Sequence, residues 1–271
     1  MTHTSPVRWL APAAVVLTLS SAAEAETRRC TAITSLPYTI SAPGSYCLNT
    51  DLSTPISAGR AITIISNSVT LDLNGHKLAG NAGVATTADG VYAANRKYVV
   101  VKNGTIKGFM RAVHFQGSSS IANIIEGITA ERNFNVGLRV DGVGSSVRRN
   151  LVVNTGGTTV QGGNANNAGI ALFGSANVIL ENEIMNVAGT GTGVGYGIVM
   201  DTSDDTVVES NRIAAVDTGI YADGTNILVS NNRFMRMPTA IDMPGSGKFS
   251  NNLTAGVSVI ANGGTDAGGN H

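Results

Sequence analysis

GIVMDTSDDTVVESNRI at 197–213 and GIYADGTNILVSNNRF at 219–234 decide the fold. Laid one over the other, they share a small residue, an aliphatic strand of four, a polar turn, a second apolar strand and then an asparagine. Working outward, the same opening recurs as AITI at 61, GVYA at 90, AVHF at 112, GLRV at 137, GIAL at 169 and AIDM at 240. The steps between openings are 29, 22, 25, 32, 28, 22 and 21 residues. An asparagine or a substitute follows each opening at 12 to 14 residues: Asn74, Asn103, Glu126, Asn150, Asn182, Asn211, Asn232 and Asn252. A fixed offset inside a variable period means that insertions fall after the asparagine.

The position after each opening reads Ile62, Val91, Val113, Leu138, Ile170, Ile198, Ile220 and Ile241, and the position two further on is also mainly apolar. Such agreement over many repeats is the mark of a solenoid. Two or three short strands in a period near 22 predict parallel strands stacked coil on coil, about 4.8 Å apart. The asparagines are expected as a ladder at one corner, each amide bonding its own turn and the next coil. Leucine-rich repeats lack a match to L-x-x-L-x-L, and no 3.6-residue period supports a helical repeat.

Residue by residue, these rungs resemble the right-handed parallel β-helix, or pectate-lyase-like, superfamily. They follow its G-I-x-Φ and V-x-x-N-x-Φ pattern, and VTLDLNGHKLAG at 69–80 is similar to its common first full rung. The resemblance covers about residues 33 to 255. It implies an all-β, single-stranded, right-handed β-helix of about eight to nine coils with an N-terminal cap. It says less about activity, because the scaffold carries lyases, hydrolases, epimerases and non-catalytic surface proteins alike.

Arg8, the apolar run Trp9–Leu19 and Ala23-Glu24-Ala25 read as a secretory signal peptide over 1–25. A cap and first partial coil are expected over 26–60, the β-helix over 61–260 and a flexible tail over 261–271, where ANGGTDAGGNH is too polar to pack. Cys30 and Cys47 are the only cysteines and read as a disulfide in a secreted or periplasmic protein. Zinc fits poorly, as no histidine lies near them. No later segment is long and apolar enough to span a membrane. Lys plus Arg and Asp plus Glu number 18 each, and losing Arg8 and Glu24 keeps the charge at zero, which argues against a nucleic-acid partner, since that would call for a basic face. Alternate glycines from Gly189 to Gly197 lack the lysine and following helix of a phosphate loop, and are expected as a flexible inter-coil loop.

Side chains at +2 and +4 from each opening should face outward, and in the middle coils they gather chemistry. His114 and Arg139, one coil apart, offer a proton abstractor and a carboxylate neutraliser for uronate elimination or epimerisation, with Tyr92 as the acid. Gln116, Asp141, Asp201, Tyr221 and Asp223 are the expected substrate contacts. The insertions at 156–168 and 189–196 should wall one side of this groove, whose aromatic, amide and charged groups suit a polysaccharide. Asp201 and Asp223 also offer a hydrolase pair or weak calcium binding; Asp204 and Asp205 read as turn residues. No cofactor or metal site is otherwise expected. The polygalacturonase signatures N-T-D, G-H-G and R-I-K are absent, and the pectate-lyase calcium-and-arginine arrangement is not clearly matched. A structural or adhesive surface protein and a glycoside hydrolase stay open as alternatives. Oligomeric state is not legible.

Overall fold

A computed structural model describes Met1 and residues 30–160 and 162–271. Apart from Met1, the expected signal peptide lies outside the described residues. Among those described there is no helix, and 24 strands pair almost entirely in parallel. They fall into three columns that run the length of a solenoid, each strand bonded to its counterpart one coil away.

The first column carries the recurring openings. It stacks Tyr38–Ile40, Arg60–Ile64, Asp89–Ala94, Arg111–Gln116, Val136–Asp141, Asn167–Phe173, Gly195–Met200 and Thr218–Ala222, then parts of Arg233–Ser250 and Leu253–Asp266. Nine successive pairings give ten rungs, because both ends extend further than the openings suggest. Residues 31–54 hold more than a partial coil: Tyr38–Ile40 pairs with Arg60–Ile64, Gly44–Leu48 with Val69–Asp72, and Leu52–Thr54 with Lys77–Gly80. At the other end, residues 261–266, expected in a flexible tail, continue a strand beside Arg233–Ser250. Backbone pairing needs no apolar side chains, so polar composition did not prevent it.

Packing explains the small residue that opens each strand. A Cβ at Gly90, Gly137, Gly169, Gly197 or Gly219 would stand 2.5–2.7 Å from the carbonyl of the next small residue along the column. The opening residue and the aliphatic residue after it are both buried in the interior, so strict alternation breaks at this point. That interior is one continuous core of stacked Ile, Val, Leu, Phe and Met side chains.

The asparagine ladder is continuous over the second half of the solenoid. Asn150, Asn182, Asn211, Asn232 and Asn252 are buried. Each Nδ2 donates to the next Oδ1 at 2.9–3.2 Å, ending on Asn270 in the tail. The first three expected members do not join. Asn74 and Asn103 are exposed, with φ of 49° and 57°, and Glu126 binds Arg148 and Arg149. Strands Val100–Lys107 and Ile124–Glu131 run unbroken through this corner, so Asn103 and Glu126 have no tight turn to brace. Asn74 does lie in a turn and donates to the Leu48 carbonyl at 3.0 Å, but no amide stacks above it. Cys30 and Cys47 form the expected disulfide, with Cα atoms 5.7 Å apart.

Candidate functional site

The outward face of the first column carries the side chains expected at +2 and +4, and a third set that alternation alone conceals. Because alternation breaks at the small residue, the position before it also lies on this side. This places Arg60, Arg111 and Tyr196 on the surface and Asp89 buried just beneath it, and all four take part in its contacts.

On the N-terminal coils these residues tie up the expected catalytic group. Tyr92, His114 and Arg139 are register partners on successive rungs. His114, however, is only 3% exposed, and its Nδ1 stands 3.3 Å from an Asp89 oxygen. Arg111 Nε donates to the other Asp89 oxygen at 2.6 Å. The Tyr92 ring meets His114 edge-on at 5.3 Å, Arg60 lies 3.8 Å over Tyr92, and the Tyr92 hydroxyl donates to Gln116. Burial lowers the His114 pKa below its ordinary value; the bond to Asp89 opposes this, while the Arg111 charge adds to it. His114 Nε2 is buried with no protein partner. An imidazole enclosed in this way is not positioned as an accessible proton abstractor, which corrects the expected exposure. One rung on, Arg139 Nε donates to Asp141 at 3.0 Å and its guanidinium lies 4.5 Å over Phe173.

Toward the C-terminal end, Asp201, Tyr221 and Asp223 come together. Asp201 and Asp223 directly follow the register partners Met200 and Ala222, and so sit one rung apart. Tyr221 meets Tyr196 edge-on at 5.8 Å. This group is separated from His114 by three to four rungs, roughly 14–19 Å at the usual spacing, so the predicted residues form two neighbourhoods rather than one. Asp204 and Asp205 lie in the turn, where they bond Thr225 and Asn226 of the next coil at 2.8 and 3.1 Å.

Between the two neighbourhoods lies a cleft of about 360 Å³, lined by Asn135, Val136, Arg139, Asn166, Asn167, Ala168, Ala171, Phe173, Tyr196, Val199, Asp201 and Tyr221. The insertions at 156–168 and 189–196 contribute to its lining, as expected, but they are not loose. Ala165 and Thr190 exchange both backbone hydrogen bonds, at 3.0 and 2.9 Å. Asn164 and Asn166 accept from the amides of Thr192 and Val194, and Asn167 Nδ2 donates to the Ala188 carbonyl at 2.7 Å. A Cβ at Gly193 would overlap the Ala165 carbonyl, and one at Gly195 the Val187 carbonyl. The alternate glycines thus allow two loops to pack backbone against backbone, which corrects their reading as a flexible loop.

Comparison with known proteins adds family and fold. The sequence model of the family described as periplasmic copper-binding protein (NosD) matches residues 53–271. No curated protein sequence matches the chain. Among solved structures, it is similar to the Dettilon tailspike protein, with 15% identity, a TM-score of 0.62 and coverage of 89% of this chain and 59% of that one. Tailspike protein 2 of bacteriophage CBA120 is also similar, with 14% identity, a TM-score of 0.60 and coverage of 86% and 39%. XylC in complex with xylose shares 16% identity at a TM-score of 0.56, over 76% of this chain and 38% of that one. The chain therefore spans less than two thirds of the length of each. The fold is the right-handed parallel β-helix.

Proposed function

The chain belongs to the NosD family of periplasmic copper-binding proteins, and from that premise we propose that it is a periplasmic β-helix that binds a glycan chain along its first column. The family's periplasmic description is in keeping with the Cys30–Cys47 disulfide. Among the described residues no helix is long and apolar enough to cross a membrane.

Copper itself does not fit the residues present. Copper takes imidazole, thioether or thiolate donors that converge on one point. Both cysteines are in the disulfide, and among the described residues no three His, Cys, Asp or Glu side chains come together. His76 lies 3.6 Å from Asp51 and His114 is enclosed against Asp89. Met200, Met237 and Met243 are buried in the apolar core. No step is assigned to a metal.

The observation that carries the glycan reading is the composition of the cleft. Tyr196 and Tyr221 supply ring faces for the apolar side of a pyranose, while Asn135, Asn166, Arg139 and Asp201 supply donors and acceptors for its hydroxyls. A groove of this kind on a rigid sheet is pre-formed, so little ordering opposes binding. The xylose complex of a structural neighbour is in keeping with a sugar ligand. Binding rather than turnover is the reading, because the one histidine on this face is enclosed by protein.

Screening oligosaccharides against the protein by calorimetry tests the proposal. Tyr196→Ala/Tyr221→Ala should weaken the bound glycan at least tenfold, about 1.4 kcal/mol, with the melting temperature retained. Unchanged affinity in that variant would overturn the assignment of the cleft. Release of new reducing ends, lost in Asp201→Asn, would replace binding by hydrolysis.

A further inference from the structure

The two ends of the cleft differ in charge, and this bears on which glycan it takes. Arg139 is the only Lys or Arg among the residues that line it. Its charge is matched by Asp141 at 3.0 Å, and its guanidinium is stacked on Phe173. At the tyrosine end no cation answers the acids. Among the described residues Asp201, Asp217, Asp223 and Asp242 have no Lys, Arg or His within ion-pair distance. Asp217 accepts from the Gly195 amide and Asp242 from Asn262, whereas the Asp201 and Asp223 carboxylates take no hydrogen bond from the described protein.

These acids face the tyrosines. Burial raises the Tyr221 pKa, and the charges of Asp223, Asp201 and Asp242 raise it further. Burial likewise raises that of Tyr196, followed by Asp242 and Asp217. At the Arg139 end of the cleft, two rungs from Tyr196, Asn135 holds a fixed acceptor. It is only 7% exposed, and its Nδ2 is held by the Asn166 carbonyl and Asn167 Oδ1, each at 3.0 Å. Its Oδ1 accepts nothing from the described protein. A ligand group that answers unpaired carboxylates beside tyrosine faces is positively charged and donates N–H bonds. An ammonium group is attracted both by carboxylates and by the negative face of an aromatic ring. A uronate carboxylate would meet like charge there.

Resting on the glycan reading above, we propose that the tyrosine end of the cleft selects a cationic amino sugar, an unacetylated 2-amino-2-deoxyhexose unit, over neutral and acidic sugars. The amine lies against Asp201 and Asp223, with the pyranose ring against Tyr221 and Tyr196. The expected acidic polysaccharide is thereby the disfavoured class.

Calorimetry with three tetramers, of glucosamine, N-acetylglucosamine and galacturonate, tests the selection on the full protein at low and physiological salt. The glucosamine tetramer should bind at least tenfold tighter than the acetylated one, with a preference that shrinks as salt screens the charges. Asp201→Asn/Asp223→Asn should reduce the preference for the glucosamine tetramer over the acetylated one to less than about twofold and leave the melting temperature unchanged. Equal affinity for the first two tetramers, or tighter binding of galacturonate, overturns the selection while leaving the glycan reading in place. No binding of any tetramer overturns the selection and, if the wider oligosaccharide screen is also blank, the glycan reading with it.

Discussion

Asn211 shows how one side chain serves three coils. Its Nδ2 donates to the Ile179 carbonyl and to Asn232 Oδ1, each at 3.0 Å, and its own Oδ1 accepts from Asn182. Asn211→Ala leaves these groups unpaired in the interior and should cost about 1–3 kcal/mol, read from the shift in denaturant midpoint at constant slope. His114 makes the other prediction at this scale. The unfolded imidazole takes a proton near pH 6.5, whereas the folded one does so only at lower pH because burial disfavours the charge. Between those two values the unfolded chain binds more protons, so stability falls as the pH drops through that window. His114→Gln should flatten the stability profile just below pH 6.5, and an identical slope in both proteins would show that His114 does not contribute. The sequence made His114, Arg139 and the aspartates visible as one outward set, because strict alternation holds from the second position of each strand onward. It hid Arg60, Asp89, Arg111 and Tyr196, because alternation counted back through the small residue puts them inside. A clue was present in the sequence: three of those four are charged, a poor choice for an apolar interior.

At the scale of the element, the two insertions were legible as irregular spacing but not as a packed pair. Spacing gives the length of a loop; whether it is loose depends on contacts that only the neighbouring coil supplies. Ala165 and Thr190 close a small antiparallel bridge, and a Cβ at Gly193 would overlap the Ala165 carbonyl. Gly193→Ala forces the two loops apart and should cost about 1–3 kcal/mol as overpacking does. Faster limited proteolysis within 156–168 and weaker glycan binding should accompany it. Protection and affinity equal to those of the parent would show that the wall yields without consequence. The asparagine corner teaches a similar lesson. Its spacing was regular over all eight repeats, yet Asn103 stays outside the ladder because its coil passes that corner as continuous strand, and Asn74, although in a turn, has no amide above it to continue the ladder.

For the whole molecule, the repeat specified fold class, strand direction and register before any coordinates, since the aliphatic columns at Ile62 through Ile241 can stack in one register only. The ends were less legible. Leu52–Thr54 and the 261–266 segment lack the small-residue opening and join by backbone pairing. The disulfide ties the first strand, Thr31–Ile33, to its partner Gly44–Leu48 on the next coil, and its loss should be felt there first. Reduction under native conditions should speed amide exchange in 31–48 and leave the asparagine ladder protected.

Every bond of that ladder reaches only the adjoining coil, and so does every strand pairing. The coils are in this sense interchangeable parts, and stability is close to a sum of neighbour terms. Excising residues 197–218 would set Gly219 after Tyr196, Ile220 against Ile170 and Asn232 against Asn182, each meeting a partner of its own kind. The shortened chain should fold, lose stability by about one coil's share, and keep both Tyr196 and Tyr221 on its surface. Length in such a molecule can change by whole turns without redesign, as a ruler can be cut at any of its marks.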